Sequence, residues 1–353
     1  MSLLQTAQNP LFQKLANEIF NRQFEIDPKL RNELSEIAKM KMYRDVLHNI
    51  NILNMALELG DEMIFEYHAR WIYQLLCPLL PHCTRARVKE LLQQHYELLL
   101  ECLEQAVRAD QVPRLRRMIG RAIQATNEEC DNEAGAPPTL AGRYEIEVSQ
   151  YLECLLKSDT KGAVYLISEY VKQGIPLTDV YVDIVAQTMH RVGDLWHQHQ
   201  ILVDKEHYCT TTTQLALSQL YPIIFRQERN GRKMLAACVG NELHEMGARM
   251  VADLFEYDGW DSVYLGAAVP PEFICRAVKE HCPELVVLSV TMPDNLILCK
   301  ETVRQIQELC PDVKLAVGGN AFACTNEIWK DWRVDVYTQD ARDLVAWADN
   351  TLR

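Results

Sequence analysis

The feature that most constrains this chain is a change of hydrophobic period near residue 232. Upstream, apolar residues recur at three- and four-residue spacing, the pattern of helices buried along one face. From 232 to 353 the pattern becomes short apolar runs, KMLAACV, SVYLG, LVVLSVT, KLAVGG and VDVYT, alternating with helical stretches. Strands this apolar, each followed by a helix, predict a parallel sheet covered on both faces, which is a doubly wound α/β domain. Such domains bind ligands beyond the carboxyl ends of the strands, where the strand order reverses. Function is therefore expected in the loops GNELHEMG, SVTMPD and VGGNAF.

The remainder reads as helical, so the fold class is α + α/β. Residues 1–128 form an all-helical bundle carrying MYRDVLHNINILNMALELG, DEMIFEYHARWIYQLLCPLL and TRARVKELLQQHYELLLECLEQAV. Asp27-Pro28 reads as a helix start. His48, His68 and His95 lie on these helices as packed or surface residues. Residues 129–143 are rich in Gly, Pro and acidic side chains and read as a linker. Residues 144–230 read as four helices, with Asp159 and Asp204 as caps. Residues 231–353 are the wound domain, with a flavodoxin-like arrangement.

Bulk charge narrows the partners. The 353 residues carry a net charge of −13, which argues against non-specific binding to nucleic acid or anionic lipid. One local basic stretch remains, Arg114, Arg116, Arg117 and Arg121. No run approaches the roughly 20 apolar residues of a membrane span. The opening MSLLQTAQNPLF lacks the pattern of a signal peptide, so a cytoplasmic location is expected. The twelve cysteines form no CxxC pair. Cys77, His82 and Cys83 lack a second ligand pair at zinc-binding spacing.

GNELHEMG has neither the GxGxxG of a dinucleotide loop nor the lysine of a P-loop. It also lacks the clustered acids of a receiver domain. A buried structural histidine is the plain reading of His244. The sharper one is a metal ligand, because a ligating histidine commonly gives its other ring N–H to a carboxylate, and Glu242 lies two residues away. Gly247 would let the helix begin close to a bulky ligand. Ser289, Thr291, Gly318 and Gly319 are small or hydroxylic and would leave a slot between strands.

At these residues the sequence resembles a family. ELHEMG is similar to the D/E-x-H-x-x-G motif of cobalamin-binding domains, and 289–291 and 318–319 are similar to the loops that hold the cofactor's nucleotide tail in that family. The resemblance implies that His244 is the lower cobalt ligand and that 144–230 is the four-helix cap over the corrin. In the cap, Trp196 is followed after nine residues by Glu206-His207. This pattern resembles the CarH-type B12 photoreceptors. It implies that Trp196, Glu206 and His207 pack about the adenosyl group of adenosylcobalamin, and that His197 becomes an upper cobalt ligand after light breaks the Co–C bond.

The implied function is a light sensor rather than a catalyst. Its output would pass to the N-terminal helices, a second copy of the chain or a regulator protein. Residues 1–128 lack the compact basic helix-turn-helix and wing of a MerR-type domain, so direct DNA binding is not expected. Some relatives carry a bilin-binding helical domain, but nothing in 1–128 identifies a bilin site. The alternative is a corrinoid methyl carrier that works with separate methyltransferases.

Overall fold

A computed structural model describes residues 9–132 and 142–352. Most of the expected linker, 133–141, lies outside them. The chain forms two compact units. The first holds the described residues of Met1–Gly135 together with Met292–Ile297 and Ala321–Ile328; the second holds those of Ala136–Thr291, Leu298–Asn320 and Trp329–Arg353.

The first unit is built on α1 (Pro10–Ile26), α2 (Glu36–Leu59), α3 (Met63–Leu79), α4 (Arg85–Glu104) and α5 (Val112–Asp131). Local signals set the ends. Asn9 caps α1, accepting from Leu11 N at 3.0 Å, and Pro10 occupies the first helical position. Ser35 caps α2 through Ala38 N, and Gly60 ends it at φ +74, a left-handed conformation that glycine adopts without strain. The helix start expected at Asp27-Pro28 is instead a turn. Asp27 ends α1, its carboxylate accepts from Lys29 N at 3.2 Å, and it pairs with Arg87. α5 packs on α3 and α4, and α1 packs on α2 and α4. Ile50, Leu53, Phe65, Tyr96, Leu99 and Met118 fill the core.

Polar residues are also placed inside this unit. Asn49 Nδ2 lies 2.8 Å from His95 Nε2, and Asn49 Oδ1 lies 2.6 Å from His68 Nε2. The amide donates to His95 Nε2, which must therefore be neutral with its proton on Nδ1, and accepts from the Nε2–H of His68. Burial lowers the basicity of both. Three of the four arginines in the basic stretch form ion pairs: Arg116 with Glu104, Arg117 with Glu62, and Arg121 with Glu66.

The second unit begins with α6 (Glu145–Leu156) and α7 (Thr160–Lys172). A short helix at Leu177–Asp179 then runs through a π-helical stretch, Val180–Ala186, into α8 (Gln187–His197); α9 (Val203–Ser218) follows. Asp159 caps α7, accepting from Gly162 N at 2.9 Å. Asp204 is not a cap. Leu202 takes that position, and Asp204 sits in the first turn of α9, where its charge still favours the helix dipole. These helices share a core of Tyr151, Ile167, Tyr181, Ile184 and Leu217.

The sheet comprises β1 (Lys233–Cys238), β2 (Asp261–Tyr264), β3 (Leu285–Ser289), β4 (Lys314–Gly318) and β5 (Val336–Tyr337). Its helices are α10 (Met246–Tyr257), α11 (Pro271–His281), α12 (Leu296–Leu309) and α13 (Ala341–Thr351). All pairings are parallel and the order is β2-β1-β3-β4-β5. The order reverses between β1 and β3, so the loops after those strands border one crevice. α10 lies against the sheet, while its Met250 and Leu254 join the core of α6–α9.

Candidate cofactor site

Beyond β1, Val239 bridges Val269 and the chain turns at Gly240. Glu242 follows and is completely buried (0% exposed), whereas the His244 side chain is 59% exposed. A buried carboxylate needs donors, and Glu242 has them. Oε1 accepts from His244 N at 3.0 Å and from His244 Nδ1 at 2.6 Å; Oε2 accepts from Thr291 N at 2.8 Å. One side chain thus ties the loop after β1 to the loop after β3 across the switch point.

The bond to Nδ1 fixes the imidazole. Nδ1 carries the proton, so the lone pair of the neutral ring resides on Nε2. Nε2 has no hydrogen-bond partner among the described residues. The hydrogen bond to Glu242 raises the basicity of His244, burial opposes it, and the charges of Glu242 and Glu206 add to the rise. A more basic nitrogen is a better metal donor.

The glycines separate into two kinds. A Cβ on Gly247 would meet nothing within 4 Å, and one on Gly318 would meet only Thr338 O at 4.0 Å. The protein's own packing does not require glycine at either place. Gly319 differs. Its φ is +95, and a Cβ would overlap the Val290 carbonyl oxygen. Gly319 is therefore needed by the backbone itself, where two chain segments approach closely. Ser289 pairs with Gly318 in the ladder and is buried.

In the cap, Trp196 and His197 end α8, both half-buried. Glu206 and His207 lie in the first turn of α9. Glu206 Oε1 accepts from Thr210 Oγ1 at 2.9 Å, and Oε2 lies 3.1 Å from His207 Nδ1. Glu206 is half-buried and His207 exposed. The structure thus brings together Glu242, His244 and Thr291 by hydrogen bonds. Trp196 makes no ring contact or hydrogen bond with them among the described residues. Leu243, between Glu242 and His244, is 74% exposed, and Leu202 and Val203, at the start of α9, are exposed by 68% and 54%.

An imidazole with its proton fixed on Nδ1, an exposed Leu243 next to it in the chain, and two glycines facing open space fit a large ring system whose metal needs one protein donor. No group of three His, Cys, Asp or Glu among the described residues is arranged to hold a metal ion on its own. A corrin, which brings its own four equatorial nitrogens, asks for only one donor.

The comparisons with known proteins agree. A B12 binding domain is matched over residues 232–345, and a second B12 binding domain over residues 148–221. Over these two segments the chain belongs to the B12-binding family, and it is a cobalamin-binding protein. It is 22% identical over 213 residues to a trimethylamine corrinoid protein of Methanosarcina barkeri, covering 59% of this chain and 96% of that one. It is 26% identical over 173 residues to the HTH-type transcriptional repressor CarH of Myxococcus xanthus, covering 48% of this chain and 57% of CarH. The solved monomethylamine corrinoid protein of Methanosarcina barkeri shares the fold, with a TM-score of 0.51 and 19% identity, over 58% of this chain and 97% of that one. Among the described residues, no helix is long and apolar enough to cross a membrane.

Asp253, in the middle of α10, was not singled out from the sequence. It accepts from Tyr181 Oη at 3.0 Å and from Tyr221 Oη at 3.1 Å, and so fastens the helix after His244 to the cap. Burial raises its pKa. A second tie runs from Arg342 to Asp183 in the π-helical stretch, at 2.8 and 2.9 Å. The signal for the first was an acid placed within the apolar run ARMVADLFEY, four residues after an arginine.

Proposed function

We propose that this chain is an adenosylcobalamin-dependent light sensor in which His244 Nε2, and after illumination His197, would be donors to the cofactor's cobalt. The observation that carries the reading is the buried Glu242 carboxylate, which holds His244 Nδ1–H at 2.6 Å and leaves Nε2 as the donor, in a chain whose cap places Trp196-His197 at the end of α8 and Glu206-His207 in the first turn of α9. Bound there, adenosylcobalamin would supply a cobalt–carbon bond that light can break.

The chain's own residues do the rest. Glu242 keeps the proton on Nδ1 and so holds His244 as a neutral donor. Gly247 and Gly318 leave room for the ring and its tail. The Trp196 indole would pack against the bound cofactor and exclude water, while Glu206, steadied by Thr210, and His207 would hold its polar groups. His197 ends α8, two residues before His199 at φ +55, where the chain leaves the helix. A side chain at a helix end can move into vacated space at little cost in backbone hydrogen bonds. That exchange would bias the packing of the cap on α10, with a second copy or a regulator protein as the recipient.

A second reading, a corrinoid methyl carrier, is favoured by the corrinoid relative matched over 96% of its length. Two substitutions test the proposal. His244→Ala should weaken cobalamin binding and remove the His-dependent feature of its absorbance; unchanged binding and spectrum would refute His244 as donor. His197→Ala should leave dark binding intact and alter the spectrum after light. An unaltered lit spectrum would remove His197 and favour the carrier.

A further inference from the structure

The loops that follow β3 and β4 each serve both units in turn. Thr291, whose N–H holds Glu242, is the last residue of its segment in the second unit, and Met292 begins a segment of the first. Three residues on, Asp294 is buried in the first unit. Its Oδ1 accepts from Asn51 Nδ2 on α2 at 3.2 Å, and His48 Nδ1 lies 3.7 Å from its Oδ2. The second loop repeats the arrangement. Gly318 O accepts from Val290 N at 2.9 Å, which locks the two strand ends together. The chain then passes through Asn320 into Ala321–Ile328 of the first unit, where Asn326 N donates to buried Asp61 at 2.6 Å. Asp61 also accepts from Met63 N at 2.9 Å, at the start of α3.

Little slack separates the two ends of the first loop. Thr291 and Asp294 are at most about 11 Å apart along the chain. Pro293 fixes one φ, and Pro293–Asn295 is a turn of 3₁₀ helix. A shift of about 0.7 Å at Thr291 would stretch its 2.8 Å bond to Glu242 beyond hydrogen-bonding range. Asn51 itself lies two residues from Asn49, the amide that joins His68 and His95.

We infer that the N-terminal helical unit positions the His244–Glu242 pair: Asn51–Asp294 anchors the loop whose first residue holds Glu242, Asp61–Asn326 anchors the loop after β4 that is bonded to it through Gly318 and Val290, and cofactor occupancy is reported back to α2 and α3 by the same loops. This rests on His244 being the lower donor. By linkage, whatever the helices add to cofactor affinity, the cofactor returns as stability to the helices. Asp294 and Asp61 are thus positioning residues.

The test uses the full chain and adenosylcobalamin in the dark. Asn51→Ala and Asp294→Ala should raise the dissociation constant about 3- to 10-fold and diminish the His244-dependent absorbance change. Asp294→Asn should restore both, because the amide oxygen still accepts from Asn51. In the parent protein, amide hydrogen exchange across Glu36–Leu59 and at Met63 should slow on loading, a readout that needs no variant to fold. Affinities within twofold of the parent, with exchange unchanged on loading, would overturn the inference. His244→Ala is the control. If it weakens binding while the loop variants do not, this inference alone falls; if it binds as the parent does, the lower-donor reading falls and this inference with it.

Discussion

Two adjacent glycines should behave in opposite ways, because only one is required by the protein itself. At Gly318 a methyl group would meet nothing nearer than Thr338 O at 4.0 Å, and its φ is ordinary. Gly318→Ala should therefore leave the apo protein unharmed, or stabilise it by about 0.4–1 kcal/mol through the unfolded chain. If the cofactor's tail fills that space, the same methyl is overpacked in the complex by about 1–3 kcal/mol. That is roughly a 5- to 150-fold loss of affinity. At Gly319, φ +95 costs a non-glycine residue about 1–2 kcal/mol, and overlap with the Val290 carbonyl adds about 1–3 more. Gly319→Ala should thus destabilise the apo protein before any ligand is added. Urea unfolding of the apo proteins and absorbance titration with cobalamin separate the two effects. A Gly318→Ala protein with normal stability and parental affinity would refute the placement of the ligand beside β4.

Three further outcomes follow from buried polar groups. Glu242→Gln must point an NH₂ at either Thr291 N–H or the His244 donors, which should cost about 1–3 kcal/mol of stability and about 10- to 100-fold in cobalamin affinity; parental melting and titration curves would dismiss the bond network. Asp253→Ala leaves the Tyr181 and Tyr221 hydroxyls without their acceptor and should destabilise the protein by about 2–5 kcal/mol in urea unfolding, whereas a loss below about 0.5 kcal/mol would show that water replaces it. Burial lowers His95 from 6.5 to about 4, so its contribution is complete above pH 6.5 and is lost as the pH falls from there towards 4. Over that window the parent should lose about 3 kcal/mol more than His95→Gln. The difference cancels the opposite effect of Asp45, whose carboxyl burial pushes up to about 6. Equal slopes would mean that His95 is not held neutral.

What the sequence disclosed was set by local chemistry. The strands from Lys233 to Tyr337 were legible as short apolar runs broken by helices, and a crevice beyond their carboxyl ends follows from the winding rule, while the order came from the structure. The carboxylate–imidazole bond was legible because Glu242 and His244 are two residues apart. The tie to Thr291 was not, since it depends on a backbone N–H that is 49 residues away. Asp27-Pro28 misled because an Asp that can start a helix can also close the one before it, and here Arg87 claims its carboxylate. Asp204 missed the cap by two residues, a distance within which end signals overlap. The two glycines after β4 look alike in sequence, yet only the fold shows that one faces a carbonyl and the other open space. The Asp253 hub depends on two tyrosines from distant helices, a tertiary fact that no periodicity carries.

The most direct measurement is size-exclusion chromatography with full absorbance spectra on the chain loaded with adenosylcobalamin, in the dark and after illumination, beside His197→Ala. The account predicts cobalamin retained after light, a stable changed spectrum that His197→Ala does not reach, and a shift in elution. Cobalamin bound in the dark but released on illumination, with elution unchanged, would contradict the sensor and leave a carrier or a passive binding module.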